Sequence, residues 1–233
     1  MIDSLFKRAM NASPEDKKRQ KGAFNRQHDK NEKERKATAP LSRVLLYSNL
    51  SQEDFKTKKF ELFNRKDSCA LQLLKNLTPE DKFGLCLHGD VGTGKTHLLK
   101  GFIIEHSTNF RTYSYFTSLH DLMNDFRANL DDLVHFKNKL FSYDVLVIDD
   151  VGAENTTDFV TAELTSIMDR MTVEGKMLLM SSNYTPTKLK EIYGFRIFDR
   201  MIEQIQFINC VGTTYRATIY RNNKKKLDER LKK

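Results

Sequence analysis

The chain has 233 residues, of which 39% are hydrophobic and 30% charged, and its net charge is +8. This is enough apolar side chain for one sizeable core, and glycine and proline are too few for a fibrous chain. No apolar run exceeds four residues, which excludes a membrane span of about 20 residues. Three widely spaced cysteines, Cys69, Cys86 and Cys210, argue against a disulfide framework or a zinc site and favour a reducing compartment, the cytoplasm.

The positive charge is concentrated at the two ends of the chain. Residues 1–36 carry 11 basic and 6 acidic side chains, and residues 216–233 carry 8 and 2. Basic ends suit a polyanion such as nucleic acid, although solvated tails have the same composition. We predict a charged N-terminal arm over residues 1–45, whose apolar start has helical spacing and suits a partner protein. A globular domain with a basic tail is predicted over residues 46–233.

Strand-like and helix-like segments alternate through this domain. Strands are predicted over 83–88, 110–116, 144–148, 176–181, 206–211 and 215–220. Helices are predicted over 67–76, 96–106, 118–141 with a break near Asp131 and Asp132, 158–171 and 187–204. Strands separated by helices indicate a parallel sheet that is covered on both faces. The runs VLVI and MLLM lack alternation, which is typical of buried central strands.

A phosphate-binding motif lies between the first strand and its helix. Residues 89–96 read GDVGTGKT, which satisfies G-x-x-x-x-G-K-[ST]. The glycines let the backbone fold around phosphates, and successive N–H groups form an anion nest at the helix N-terminus. Lys95 places a charge on the β and γ phosphates, and the Thr96 hydroxyl can bind Mg²⁺. The predicted nucleotide-binding residues are Gly89, Asp90, Val91, Gly92, Thr93, Gly94, Lys95, Thr96 and His97.

Two carboxylates end the apolar strand DVLVIDD, residues 144–150. In an open α/β sheet, ligands bind at the carboxyl ends of the strands. We therefore predict that Asp149, together with Thr96, holds Mg²⁺ and that Asp150 orients or deprotonates the attacking water. Two adjacent acids in a buried place are costly unless a cation neutralises them.

Polar residues further along the chain are weaker candidates. Asn183 follows the strand KMLLMSS and is placed to bond the γ-phosphate or the attacking water, although asparagine is also a common turn residue. Arg196 and Arg200 are four residues apart, on one helix face. Arg200 is the better candidate for an arginine that acts on a neighbour's nucleotide. Arg216 is a further candidate for a phosphate contact, and a surface salt bridge is the alternative for each arginine.

The ordered set GDVGTGKT, DVLVIDDVGAE, SSN, RIFDRM and TTYR resembles the AAA+ ATPases of the DnaC/DnaI helicase-loader group and the related IstB-type transposition helpers. The resemblance covers roughly residues 50–220. It implies an α/β fold with an AAA+ P-loop NTPase core, a parallel sheet flanked by helices, and a reduced or missing C-terminal helical lid. It also implies that Asp150 is the catalytic base, Asn183 sensor 1, Arg200 the arginine finger and Arg216 a sensor-2-like residue.

The same resemblance implies a function and partners. It implies a slow, DNA-stimulated ATPase that uses ATP and Mg²⁺, binds the replicative hexameric helicase through the arm, and loads it onto single-stranded DNA. Self-association into a ring or spiral is expected, and no interaction with a membrane is expected. The alternatives are an IstB-like transposase helper and a nucleotide-gated adaptor with little hydrolysis. A small-molecule kinase is disfavoured because the sequence has no arginine-rich lid after the third strand.

Aromatic and basic side chains lie between the two nucleotide motifs. Sequence-tolerant binding of single strands uses aromatic stacking together with phosphate contacts. Most of the aromatic residues are expected to pack in the core, and Lys137 and Lys139 are the preferred DNA contacts. The basic segment 221–226 would add salt-sensitive, non-specific affinity. The full candidate set is Arg111, Tyr113, Tyr115, Phe116, His120, Arg127, His135, Lys137 and Lys139.

Overall fold

The computed structural model describes residues 40–65, 68–212, 214, 220, 221 and 224, with the backbone alone for 40–43. The predicted arm up to residue 39 lies outside the described residues, and so does Arg216. Residues 40–45, the end of the predicted arm, belong to the helix Pro40–Tyr47. The predicted reduced lid concerns the chain after Asn209, most of which also lies outside the described residues.

In the described part of the chain, five parallel strands form one sheet in the order β2-β3-β4-β1-β5. The strands are β1 (Gly84–His88), β2 (Ser114–Ser118), β3 (Val145–Asp149), β4 (Met177–Ser182) and β5 (Ile205–Asn209). The described helices are α1 (Pro40–Tyr47), α2 (Gln52–Thr57), α3 (Cys69–Asn76), α4 (Lys95–Phe110), α5 (Leu119–Ala128), α6 (Leu133–Leu140), α7 (Asp158–Val173), α8 (Pro186–Tyr193) and α9 (Phe195–Gln204). Within the described ranges, no helix combines the length and apolar character needed to cross a membrane.

Alternate side chains of the central strands pack into two apolar layers, one on each face of the sheet. In β3, Val145 and Val147 join the layer that contains α3 and α4, whereas Leu146 and Ile148 join the layer that contains α5, α7, α8 and α9. This two-sided burial follows from the period of two along a strand. It explains why β1, β3 and β4 are buried along their whole length, as the unbroken apolar runs predict.

Three predicted elements differ from the structure. The helix predicted over 187–204 is two helices, because Gly194 adopts φ 79° and ψ 165° and interrupts it. The strand predicted over 110–116 is β2, four residues later at its start, because α4 continues to Phe110 and Arg111 then takes a left-handed conformation with φ 57°. Of the strand predicted over 215–220, only Tyr220 is described, and it is helical.

The predicted break near Asp131 and Asp132 is confirmed by a 3₁₀ turn, Leu130–Asp132, between α5 and α6. The predicted helices over 67–76, 96–106 and 158–171 correspond to α3, α4 and α7.

An ion pair fixes α2 on α4 and so positions the chain that follows α2. The Lys100 ammonium lies 2.9 Å from the Asp54 carboxylate and 4.8 Å from the centre of the Phe116 ring. Asp54 also forms a capping box with Ser51 at the start of α2. Burial raises the pKa of Asp54, but the bonds from Lys100 and Ser51 outweigh it and leave the pKa below its usual value. The segment 58–65 leaves this anchored helix towards the carboxyl ends of the strands.

His106 is a buried titratable group on α4. Its side chain is 3% exposed, its ring stacks on Phe102 at 4.5 Å, and its Nδ1 lies 3.1 Å from the Thr112 hydroxyl. Its Nε2 has no hydrogen-bond partner among the described residues. Burial lowers the pKa of His106 to about 4. The folded state therefore holds this imidazole neutral.

Replacing His106 by glutamine should reduce the acid sensitivity of folding. In the unfolded chain this histidine is protonated as the pH falls through its ordinary pKa of 6.5. In the folded chain its pKa is about 4, so it resists protonation until the pH is that low. The unfolded state then binds the extra proton, so stability is full above this window and falls as the pH drops through it. At about 1.4 kcal/mol per unit, the wild type should lose about 2 kcal/mol between about pH 6.5 and 5.

Urea unfolding of wild type, His106→Gln and a control, His120→Gln, measures this loss at both pH values. The exposed His120 should leave the wild-type pH dependence intact. Parallel pH profiles for the wild type and His106→Gln would contradict the assignment.

Candidate functional site

The phosphate loop between β1 and α4 has the backbone that its glycines permit. Gly92 and Gly94 adopt φ of 81° and 97°, a left-handed region that favours glycine. A Cβ on Gly94 would lie 2.5 Å from Phe63 Cε2, so the loop passes directly beside this ring. Helix α4 begins at Lys95 without a side-chain cap. Its first N–H groups are therefore available to an anion.

Lys95 lies inside the loop and is 5% exposed. Its ammonium donates to the carbonyl oxygens of Gly89 and Asp90 at 2.7 and 2.9 Å. Burial lowers the pKa of Lys95, and the charges of Asp149 and Asp150 act in the opposite direction. The loop thus presents a cation that faces two carboxylates, an arrangement that suits a phosphate with a bound metal.

The first carboxylate, Asp149, is 5% exposed and accepts a hydrogen bond from a neighbouring strand. The hydroxyl of Ser181 donates to Asp149 and accepts the backbone N–H of Asp150 at 3.1 Å. The Thr96 side chain is close enough to Asp149 to lower the pKa of its carboxylate. Burial raises the pKa of Asp149 and so does the charge of Asp150, while the bond from Ser181 and the nearby Thr96 side chain lower it. A cation at this point would stabilise the ionised carboxylate.

The second carboxylate, Asp150, follows the strand in a left-handed conformation with φ 56°. Such a conformation costs a non-glycine residue about 1 kcal/mol or more and concentrates at functional sites. The Asn183 side-chain amide donates to the Asp150 carboxylate at 3.1 Å. The structure thus brings together Asp150 and Asn183, which the sequence places 33 residues apart.

Residues 91–97 of the phosphate loop, together with Asp150 and Asn183, line one cleft of about 630 Å³, whereas Gly89, Asp90, Asp149 and Ser181 are not among its lining residues. Its volume is within the range of sites for small ligands and cofactors. The phosphate loop and the two polar strand ends form one side, and the segment 57–65 forms the other. The lining residues are Thr57, Lys58, Leu62, Phe63, Asn64, Arg65, Val91, Gly92, Thr93, Gly94, Lys95, Thr96, His97, Asp150, Asn183 and Thr214.

Phe63, Arg65 and Ser181 are not among the residues that were singled out from the sequence as parts of this site. The Phe63 ring lies 5.3 Å from the His97 ring, which makes one wall of the cleft aromatic. The Arg65 guanidinium donates to the carbonyl oxygens of Thr93 and Val211, each at 3.2 Å. Phe63 and Arg65 precede the motif by about 25 residues in unpatterned sequence, and only the SSN motif offers a signal for Ser181.

The donor set fits Mg²⁺. In the described part of the chain, no three or more His, Cys, Asp or Glu side chains form a metal cluster. The Thr96 hydroxyl and the Asp149 carboxylate therefore constitute a sparse set, which suits an ion that commonly uses one or two carboxylates together with phosphate oxygens and water.

Arg200 is not among the described residues that line this cleft. It lies on α9, where its guanidinium donates to the Asp169 carboxylate of α7. Gln204 donates to the other oxygen of Asp169 at 3.0 Å. Arg200 is thus separated from Asp150 and Asn183, which line the cleft of the same molecule.

The candidate DNA contacts fall into a packed group and an exposed group. Tyr115 stacks on Tyr143 at 5.0 Å, and Phe116 is 9% exposed. Lys137 pairs with Glu163 at 2.6 Å, so a phosphate contact by Lys137 would have to break this ion pair. Five basic side chains are exposed, namely Arg111, His120, Arg127, His135 and Lys139.

The fold and the cleft are those of a P-loop ATPase of the AAA+ class. Residues 61–207 match the family of bacterial DnaA ATPase domains, and because this match spans more than half of the chain, the chain belongs to that family. The chromosomal replication initiator DnaA of Campylobacter jejuni strain 81-176 is 33% identical over 125 residues, 51% of this chain and 28% of that protein. The DnaA of Mesoplasma florum is 27% identical over 170 residues, 69% of this chain and 37% of that protein. The chain thus spans well under half the length of these relatives.

Solved structures share the fold. The crystal structure of the DnaC helicase loader matches with a TM-score of 0.60 and 20% identity, over 68% of this chain and 99% of that chain. The DnaI structure gives 0.57 and 20%, over 71% and 93%. The replication initiator DnaA bound to AMPPCP and single-stranded DNA gives 0.56 and 22%, over 65% and 49%. The predicted α/β AAA+ fold and the resemblance to the DnaC/DnaI group are confirmed.

Ser181→Ala should weaken the Mg²⁺ dependence of nucleotide binding. Removing the hydroxyl leaves Asp149 without a hydrogen bond that orients it, and the loss of such supporting bonds lowers metal affinity about 10- to 100-fold. Calorimetric titration of ATP at a series of Mg²⁺ concentrations measures the change.

Ser182→Ala is the matched control for this experiment. Both serines are fully buried, but the Ser182 hydroxyl donates to the Val151 carbonyl at 2.7 Å and accepts the Tyr184 N–H at 3.1 Å. The Ser182→Ala substitution should destabilise the fold without changing the Mg²⁺ dependence of nucleotide binding. Wild-type Mg²⁺ dependence in Ser181→Ala would show that Ser181 does not support a metal ligand.

Proposed function

We propose that this protein is an ATP-dependent switch that binds a replicative hexameric helicase and single-stranded DNA and delivers the helicase to DNA when replication starts. The observation that carries the proposal is the cleft that Lys95 and Thr96 line together with Asp150 and Asn183. This cleft joins the phosphate loop and the acidic strand end in one site. Membership of the DnaA ATPase domain family and the shared fold with the DnaC helicase loader support this role. Such a role is carried out in the cytoplasm.

The cleft offers a place for each part of ATP. Lys95 and the N–H groups at the start of α4 would bind the phosphates, and Phe63 and His97 provide an aromatic wall for the base. Mg²⁺, held by Thr96 and Asp149, would neutralise phosphate charge when bound. Asp150, oriented by Asn183, is placed to position the attacking water and accept its proton.

Completion of this site requires a second molecule. Arg200 lies outside the cleft of its own chain, so its guanidinium would reach the phosphates of a neighbour in a ring or spiral. ATP would then stabilise the subunit interface, and slow hydrolysis would release it. Arg216 is proposed as a further phosphate contact.

The proposed partners bind at other surfaces. Arg111 and Lys139 are exposed cations beside the aromatic segment and would contact the phosphates of single-stranded DNA. The DnaA neighbour bound to single-stranded DNA supports the proposal that this chain binds DNA. The N-terminal arm over residues 1–45 is proposed to bind the helicase.

Co-purification with a candidate hexameric helicase, with ATP and with ADP, tests the proposal. The wild type should retain the helicase with ATP, and Lys95→Ala should lose ATP affinity and behave as the ADP form does. Lys188→Ala, which changes an exposed lysine on α8, is the control. Capture of a transposase in place of the helicase would favour an IstB-like helper, and normal helicase loading by Lys95→Ala would refute the proposed switch.

Arg200→Ala should retain ATP binding and lose the stimulation of hydrolysis by single-stranded DNA. An arginine that acts on a neighbour's phosphates contributes a large factor to turnover, and we expect a loss of about 100-fold or more. Phosphate release with and without single-stranded DNA measures it.

Two controls separate this role from a structural one. Arg196→Ala removes an exposed arginine on the same helix and should leave the stimulation intact. Asp169→Asn breaks the Arg200 ion pair but keeps the guanidinium. Loss of stimulation in Asp169→Asn equal to that in Arg200→Ala would assign the effect to the ion pair.

A further inference from the structure

The loop 151–154, which follows the two carboxylates, is packed against α8. It begins with a turn in which the Ala153 N–H donates to the Asp150 carbonyl at 3.3 Å. Gly152 has φ 92°, and a Cβ at this position would lie 2.8 Å from Leu189 of α8. The backbone of the loop therefore touches this helix directly, and its conformation depends on it.

Glu154 bridges the loop and the helix with one carboxylate. One of its oxygens accepts the Gly152 N–H at 3.1 Å, and the other accepts the hydroxyl of Tyr193, the last residue of α8. Tyr193 is 5% exposed. Burial, followed by the charge of Glu154, raises the pKa of Tyr193. The hydroxyl thus remains protonated and continues to donate at neutral pH.

The bridge supports the residue proposed to activate water. At the strand end, the N–H groups of Asp150 and Val151 are bound to Ser181. At the other end of the turn, Glu154 binds the Gly152 N–H. A non-glycine residue with a positive φ keeps that conformation only where its surroundings hold it. Asp150 is held in this way from both sides.

We propose that Glu154 and Tyr193 are positioning residues for Asp150, and we call the pair the Glu154–Tyr193 latch. The latch fixes the turn that carries Asp150 to the end of α8, one residue before Gly194 and the helix of Arg200. This role for the two residues rests on the proposed function, the hydrolysis of ATP in the cleft. Its loss should slow the chemical step without weakening nucleotide binding, because neither residue lines the cleft among the described residues.

Tyr193→Phe removes the hydroxyl and keeps the ring. The kcat of ATP hydrolysis should fall about tenfold, the effect of losing one hydrogen bond to a charged group, while the Kd and KM for ATP stay at wild-type values. Tyr143→Phe is the matched control, because Tyr143 is also buried but its ring stacks on Tyr115. A parallel loss of ATP affinity and kcat in Tyr193→Phe would indicate a structural role and overturn the proposal.

Hydrogen–deuterium exchange over residues 150–156 provides a readout that needs no nucleotide. Tyr193→Phe and Glu154→Ala should each accelerate exchange in this segment about tenfold, and Tyr143→Phe should not. Wild-type exchange in both variants overturns the latch. This measurement decides the proposal even if the wild type hydrolyses no ATP, a result that would instead contradict the proposed function.

Discussion

Two adjacent carboxylates at the end of one buried strand are the constraint on which the site depends. Asp149 is almost fully buried, and the neighbouring charge of Asp150 adds to the cost of ionising it. The parallel register of β3 and β4 places Asp149 beside Ser181, since Ile148 is paired with Met180. Because β1 is the other neighbour of β4, the phosphate loop emerges at the same edge and brings Thr96 to Asp149. The sheet order therefore assembles the proposed Mg²⁺ site from three chain segments.

The opposite wall of the cleft depends on contacts that are remote from the motifs. The ion pair of Lys100 with Asp54 fixes α2 on α4, and the chain then passes the phosphate loop at Phe63. Two constraints favour glycine at position 94. Its φ is positive, and a Cβ at this position would clash with the Phe63 ring. Arg65 joins this wall to the phosphate loop through the Thr93 carbonyl. Helix α4 thus supports both walls, with Lys95 at its start and Lys100 in its second turn.

The sequence allowed the strand ends and the phosphate loop to be predicted because each is a local pattern. An apolar run followed by polar residues marks a buried strand end, as at Asp149 and Asn183. The interruption at Gly194 was not predicted, because a single glycine inside a helical pattern is often tolerated. Phe63 and Lys137 carry no local signal at all. Phe63 reads as an ordinary apolar residue, and Lys137 as a free cation, until the fold brings His97 to one and Glu163 to the other.

The ion pair between Arg200 and Asp169 has a further consequence for an assembled state. Both side chains are about 40% exposed, and an ion pair in such surroundings contributes only about 0–1 kcal/mol. Transfer of the guanidinium from Asp169 to a phosphate of another molecule would therefore cost little, while the free subunit keeps Arg200 oriented by Asp169. A buried pair would oppose assembly by several kcal/mol, because breaking it would leave Asp169 uncompensated. The exposure of this pair thus favours an arginine that exchanges its partner when subunits meet.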